Sequence, residues 1–203
     1  MSTIVSDIKI KITEFTGKLA GMRGINTNTL TNPWCISRKN SPKKTICSIC
    51  YSYAMLEGSR KNCAKPWQRN SNIFEKILPL ENLPRIMDRV FRFHGHGELI
   101  NKEHYLNFCN IAKKNPETTF ALWTKRKDLV RNVKRPENMI LIYSNPTIDK
   151  VKLDPPKGFD KVFNNVSGSH KLENCTGQKC VDCLKCYTKS DHPVIVEKTK
   201  IRT

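Results

Sequence analysis

The sequence predicts an α/β protein with a parallel sheet. Cys-rich metal-binding loops are predicted at its N-terminal side and in its C-terminal tail. First, short β-branched and aromatic segments alternate with helical patterns at intervals of about 20 to 25 residues, which is typical of βαβ units. Second, polar residues follow these segments, where α/β proteins place functional groups. Third, the chain carries an early and a late group of cysteines.

Six segments have the composition of strands. Alternating isoleucines at positions 8, 10 and 12 indicate the first. The continuous apolar runs TTFALWT and MILIYS are typical of strands that are buried on both faces. The predicted strands contain residues 8–12, 91–95, 118–124, 139–144, 161–166 and 193–198.

The clearest helix is predicted over residues 102–114. Asn101 is a suitable N-cap for it, and Pro116 ends it. Cys109 lies on the apolar side of this helix, so we expect it to be a buried small hydrophobic residue and not a metal ligand.

Three further helices are predicted with less distinctive ends. Residues 67–79 have apolar side chains on one side, and the segment KDLVRNV forms a short helix. Pro84 suits the first turn of a helix. That helix would carry Ile86, Met87 and Val90.

A group of polar and glycine residues follows two central strands. Because parallel strands end at one edge of the sheet, we expect this edge to be the functional face. Alternation along an extended chain would point His94 and His96 to the same side, where they would bind metal, contact a substrate or move protons. Alternatively, they hydrogen-bond to neighbouring loops. The catalytic candidates are His94, His96, Glu98 and Lys125, and the cofactor-binding candidates are Gly95, Gly97 and Glu98.

The late cysteines are the strongest chemical signal. Cys175, Cys180, Cys183 and Cys186 have the spacing C-x4-C-x2-C-x2-C. Short gaps of this kind are typical of iron–sulfur clusters, whose several iron atoms bind to one loop. Zinc, which prefers four tetrahedral ligands in two separated pairs, is the alternative.

The early cysteines are Cys35, Cys47 and Cys50, with Cys63 further along the chain. Three of them would bind three corners of a second cluster, with the fourth iron open, bound to Cys63 or bound to a histidine. Alternatively, the pair in CSIC is a redox dithiol or half of a zinc site. A site shared between early and late cysteines is a further alternative.

Composition restricts the class of protein. The chain has 36 Lys and Arg against 18 Asp and Glu, a formal charge of +18 that attracts polyanions, including nucleic acid. No segment approaches the ~20 apolar residues that span a bilayer, so we expect no membrane association. The N-terminus lacks the apolar segment of a signal peptide, which favours a cytoplasmic protein. Nine cysteines in that compartment indicate metal binding over disulfides.

The domain organisation follows from these groups. We predict an α/β domain over residues 1–169, with an early Cys-rich loop at 35–63. Residues 170–203 are predicted to form a cluster-binding segment packed on it.

Several of these residues resemble a known family. The segments FRFHGHGEL and HYLNFCNIAKKNPETTFALWTKR, together with Cys47-Ser-Ile-Cys50-Tyr51 and the four late cysteines, resemble the phage-borne gene product eighty-eight family over roughly residues 24 to 186. That family is similar to a truncated radical S-adenosylmethionine barrel. The resemblance implies a partial (β/α) barrel, a [4Fe-4S] cluster in the early loop, and a viral protein in the cytoplasm of an infected bacterial host.

The resemblance also implies a role for the strand-end segment. Gly95-His96-Gly97-Glu98 lies where the radical enzymes have a Gly-Gly-Glu-like segment that holds the methionine amino group. The spacing of the early cysteines differs, because eleven residues separate Cys35 from Cys47 where the radical enzymes have three. The chain is also shorter than a full catalytic barrel.

Three functions are therefore expected from the sequence. The first is a phage-encoded iron–sulfur protein with one or two [4Fe-4S] clusters and a redox, cluster-carrying or regulatory role. Its partner would be an electron donor or a host protein. The second is a radical S-adenosylmethionine enzyme. The third is a zinc-stabilised nucleic-acid-binding module.

Overall fold

The computed structural model describes residues 8–189 and 191–199 of the chain. Within these residues, seven strands form one sheet in which the spatial order of strands equals their order along the chain. The strands are β1 (Ile12–Glu14), β2 (Arg23–Ile25), β3 (Val90–Phe93), β4 (Thr119–Thr124), β5 (Met139–Ser144), β6 (Lys161–Val166) and β7 (Val194–Lys198).

The sheet is parallel from β2 to β7, and β1 pairs with β2 in the antiparallel direction. This sequential parallel order with intervening helices confirms the predicted partial barrel-like α/β fold. The first predicted strand begins later than expected, since only Ile12 of its three isoleucines lies in β1. None of the described helices is long and apolar enough to cross a bilayer.

Helices occupy several of the connections between the strands. Asn101 caps α4 by accepting a hydrogen bond from the His104 backbone N–H at 2.9 Å, which confirms the predicted cap. The α-helices are α1 (Pro33–Lys39), α2 (Tyr51–Glu57), α3 (Ala64–Phe74), α4 (Lys102–Lys114), α5 (Lys127–Val130) and α6 (Cys180–Cys183).

The prediction of a helix after Pro84 was wrong. Between Pro84 and β3 the chain is irregular, and Met87 is 84 % exposed. The physical reason is that Asn115 and Thr118 bind this backbone: Asn115 Oδ1 accepts from Ile86 N–H at 2.8 Å, and the Thr118 hydroxyl donates to Ile86 O at 3.2 Å. These side chains satisfy backbone groups that a helix would have satisfied internally.

The two faces of the sheet have different partners. On the outer face, side chains of β3, β4 and β5 pack against α3 and α4 in an aromatic core. The rings of Phe93 and Phe108 are stacked there, with their centroids 4.1 Å apart. Cys109 is buried there, as predicted. On the inner face, Trp123 and its neighbours pack against Phe15 and Tyr187, and the late cysteines Cys180 and Cys186 lie against this smaller core. Because α3 and α4 pack on the outer face, the strand ends and the part of the inner face that α6 does not cover are available for a site.

Candidate functional site

A cavity of about 400 Å³ opens on the inner face and at the carboxyl ends of the central strands. It is lined by residues of both cysteine groups, although the two groups lie far apart in the sequence. The strand-end residues that the sequence predicted also line it. The predicted residues at this cavity are Cys35, Cys47, Cys50, Cys175, Cys180, Cys186, His94, Gly95, His96, Gly97, Glu98 and Lys125.

Local hydrogen bonds position the early cysteines. Cys35 lies in the first turn of α1, where Asn32 Oδ1 accepts from its backbone N–H at 3.3 Å and Asn32 Nδ2 donates to Glu98 O at 3.0 Å. Cys47 and Cys50 share a turn in which Cys50 N–H donates to Cys47 O at 3.2 Å. The Asn32 side chain thus joins the start of α1 to the strand-end loop.

The early thiols lie close to one another and to a lysine. Burial raises the pKa of the Cys35 thiol above its ordinary value, and the Glu98 carboxylate adds to the rise. Burial also raises the pKa of Cys47, against the opposing charge of Lys125. Burial alone would lower the pKa of Lys125, but Cys47, Glu98, Cys50 and Cys35 outweigh it and raise that pKa. The Cys35 and Cys47 thiols are therefore neutral without a metal, and a metal that binds them would displace their protons.

Glu98 is a buried carboxylate held by three donors. Its Oε1 accepts from Leu99 N–H at 2.8 Å and from the Thr124 hydroxyl, and its Oε2 accepts from Lys125 N–H at 2.8 Å. A carboxylate has about four acceptor positions, so this side chain is fixed while one position remains for a ligand. Glu98 thereby connects the end of β3 to the end of β4.

The predicted glycines allow close backbone approach. Gly97 has a φ of +100°, and a Cβ at this position would overlap the Thr27 hydroxyl and lie 2.7 Å from Thr27 O. A Cβ at Gly95 would lie 2.5 Å from the Phe15 ring. Only glycine fits the Gly97 conformation and space, so the loop can pass close to β2 and expose its backbone to the cavity.

The two strand-end histidines both line the cavity, but their rings have different neighbours. His94 has a φ of +62°, which ends the strand alternation and places its ring against His104 and Phe108 of the outer core. His96 packs between Tyr51 and Trp67. Burial, with nearby cations, lowers the pKa of both histidines to about 3, so both are neutral near pH 7.

The late cysteines form a compact group in one segment. Cys175, Cys180, Cys183 and Cys186 together line a small depression next to the main cavity. Burial raises the pKa of Cys186 to about 12. It also raises the pKa values of Cys175 and Cys180, against the charges of Lys18 and Arg92. Leu184, in the left-handed region at φ +52°, turns the chain after α6 so that Cys186 returns to the group.

Cys63 is apart from both groups. It precedes α3 and does not belong to the cavity lining. Its proposed role as fourth ligand of the early group has no support from this placement.

No group of three or more His, Cys, Asp or Glu side chains within residues 8–189 and 191–199 is placed to hold a metal ion. The early and late thiols are gathered in the cavity region, but they do not converge on one point as the ligands of a single ion would. Their fit to a metal centre therefore rests on their chemistry, since neutral thiols lie beside cations that would offset thiolate charge.

Sequence reasoning missed several cavity residues. Arg92 lies between two outer-face phenylalanines of β3, and its guanidinium lies over the Trp123 ring at 3.8 Å. The strand alternation around Arg92 was the available signal for its inward direction. Tyr51 donates a hydrogen bond to Gly95 O, and Arg60 also lines the cavity. For these two, contact depends on how α2 packs across β3, which no local pattern indicates.

Comparison with known proteins places the chain in a family. No curated protein and no solved structure matches it. The family described as Gene product 88 matches residues 33–171, which is more than half of the chain. This range includes the early cysteines, the strand-end segment and Lys125, and it ends before the late cysteines. The chain belongs to the Gene product 88 family.

Proposed function

We propose that this protein is a phage-encoded iron–sulfur protein with a redox role, in which the early and late cysteines hold separate [4Fe-4S] clusters beside one cavity. The supporting observation is that both cysteine groups line the same cavity although their sequences are more than 120 residues apart. When bound, such clusters supply electron transfer. The protein's own residues would bind a molecule in the cavity, exclude water from it and balance the charge.

The spacing of the late cysteines favours a cluster over a single zinc ion, because short gaps let one loop bind several iron atoms, whereas zinc prefers two separated pairs of ligands. The zinc-stabilised nucleic-acid-binding module is the alternative, and it would account for both the cysteines and the positive charge of +18.

The deciding experiment is anaerobic purification, followed by iron, sulfide and zinc analysis and a visible absorption spectrum. We expect a brown protein with about eight irons and matching sulfide. A colourless protein that contains zinc, takes up no iron or sulfide on reconstitution, and binds DNA with a steep salt dependence would overturn the proposal in favour of the zinc module.

A second candidate is a radical S-adenosylmethionine enzyme. It is favoured by the cavity position of Gly95, Gly97 and Glu98 next to three early cysteines, with Cys63 elsewhere. Three cysteines would leave one iron of the early cluster open to a ligand, and Glu98 retains one acceptor position for an amino group.

This candidate has its own test. Reduced, iron-loaded protein is incubated with S-adenosylmethionine, and the products are separated by chromatography. Formation of 5′-deoxyadenosine that is lost in Cys50→Ser supports the enzyme. A protein with full iron content and no such product retains the redox role alone.

A further inference from the structure

Two cavity cations, Arg60 and Lys39, pair with no cysteine or carboxylate among the described residues, and Lys39 lies over the Tyr53 ring at 4.7 Å from its centroid. Burial raises the pKa values of cavity thiols, and the positive charges of Lys125, Lys18 and Arg92 oppose that rise. The positive charge of Arg60 instead adds to burial in lowering the pKa of His96. Arg60 forms no ion pair with any described residue, and its side chain makes one hydrogen bond, from Nη2 to the Thr16 hydroxyl at 3.0 Å. Most of its five N–H donors are therefore free at the cavity.

His96 lines the same cavity as Arg60 and lies at the end of a hydrogen-bond chain. Its side chain is only 6 % exposed, and its Nδ1 lies 2.9 Å from the Ser52 hydroxyl, which in turn lies 2.7 Å from the Thr29 hydroxyl. Its Nε2 has no hydrogen-bond partner among the described residues, although His96 lines the cavity. When Ser52 donates to Nδ1, the proton of the neutral ring lies on Nε2, which becomes a free donor.

His96 Nε2 is thus a donor without a protein partner among the described residues, and the Arg60 guanidinium, which makes a single hydrogen bond, lines the same cavity. An oxyanion would satisfy both groups, because a planar guanidinium fork matches two oxygens of a carboxylate or phosphate. The two acidic side chains that line the cavity are already engaged: Glu197 pairs with Lys18, and Glu98 is held by its three donors.

We propose that Arg60 and the Nε2 of His96 form a subsite for the carboxylate or phosphate group of a small molecule bound in the cavity. The Thr29–Ser52–His96 chain acts as a positioning device that fixes the ring and its tautomer. The subsite deepens the proposed function, since the molecule it holds would lie in the cavity that both cysteine groups line.

The subsite is tested by calorimetric titration of the anaerobically purified full chain. Inorganic phosphate and acetate are separate probes at constant ionic strength. Stronger phosphate binding identifies a phosphoryl ligand, and stronger acetate binding identifies a carboxylate. We expect saturable binding of at least one probe, weakened at least tenfold in Arg60→Gln and about threefold to tenfold in Arg60→Lys, which keeps the charge but loses the fork.

The matched control is Arg69→Gln, which removes the same charge from an exposed position of α3 outside the cavity. We expect its affinity to remain within about twofold of the parent chain, because exposed charges are screened. If Arg60→Gln does not fold, as judged by circular dichroism, Arg60→Lys decides alone. Absence of saturable binding, or equal affinities in the Arg60 and Arg69 variants, overturns the subsite.

Iron content is measured on the same samples to separate the two proposals. A protein with full iron that binds neither probe overturns the subsite and leaves the iron–sulfur role standing. A protein that takes up no iron on reconstitution but binds phosphate through Arg60 overturns the iron–sulfur role and supports the subsite.

Discussion

The early and late cysteine groups differ in how the fold assembles them. The early group comes from the first turn of α1, a loop turn and the residue before α2, and it faces the strand ends beside Glu98 and Lys125. The late group comes from twelve consecutive residues that pack on the inner face. A site assembled from separate elements can be shaped around a ligand, whereas a compact segment forms its own closed site. The early group is therefore the better candidate for ligand chemistry, and the late group for electron storage.

The largest expected effect tests whether the two cysteine groups bind separate clusters. We expect Cys47→Ser with Cys50→Ser, and separately Cys180→Ser with Cys186→Ser, each to remove about half of roughly eight irons. The reason is that each variant removes ligands from one group while the other group keeps its own surroundings. Iron and sulfide analysis measures the result, and Cys63→Ser is the control that should keep full iron. If either double variant lost all iron, the two groups would share one site.

The next effect compares one glycine from each region. Gly97→Ala should lower the free energy of unfolding by about 4 kcal/mol, since it combines a positive φ with overlap against Thr27. Gly177, next to the late cysteines, has a φ of +95° and open space around it, so Gly177→Ala should cost about 1 kcal/mol. Urea denaturation of both variants measures the difference. Equal losses would mean that the close approach of the strand-end loop to Thr27 contributes nothing.

A smaller effect compares two carboxylates. Glu98→Gln should lower the free energy of unfolding by about 2 kcal/mol, because the new amide NH2 cannot accept from the donors that bind the buried carboxylate. Glu197→Gln, in the partly exposed pair with Lys18, should cost less than about 1 kcal/mol. Chemical denaturation of the two variants at one pH checks the ranking, and a larger loss in Glu197→Gln would reverse the assignment of the early site as the more constrained one.

Much of the fold could be predicted because its signals are local. The segment MILIYS coincides with β5, and Asn101 caps the helix that its side chain indicated. The helix expected after Pro84 failed because side chains from residues 115 and 118 bind that backbone, and such distant partners leave no trace in the local sequence.

The site was predictable residue by residue but not as an assembly. Cysteine spacing and strand-end position identified twelve residues of the cavity lining. The meeting of early and late cysteines depends on the order of β2 to β7, which places the C-terminal segment back on the inner face. The direction of His94 depends on one positive φ, which a strand pattern does not indicate for a non-glycine residue.

The smallest effect concerns pH and the histidines that surround the early region. Burial lowers the pKa of His104 well below its ordinary value, as it lowers those of His94 and His96 to about 3. Between pH 6.5 and about 3 the unfolded chain binds protons that the folded chain does not, so stability present above pH 6.5 is lost as the pH falls.

Each buried histidine should contribute about 1 kcal/mol to the loss of stability between pH 7 and pH 5.5. His104→Leu should reduce that loss by this amount, measured by urea denaturation at both pH values. His170→Gln, which replaces a half-buried histidine outside the outer core and next to the late region, is the control. The opposite result would be an unchanged loss in His104→Leu and a smaller loss in His170→Gln. The acid sensitivity would then belong to the late region, and the stability of the early region would not depend on neutral histidines.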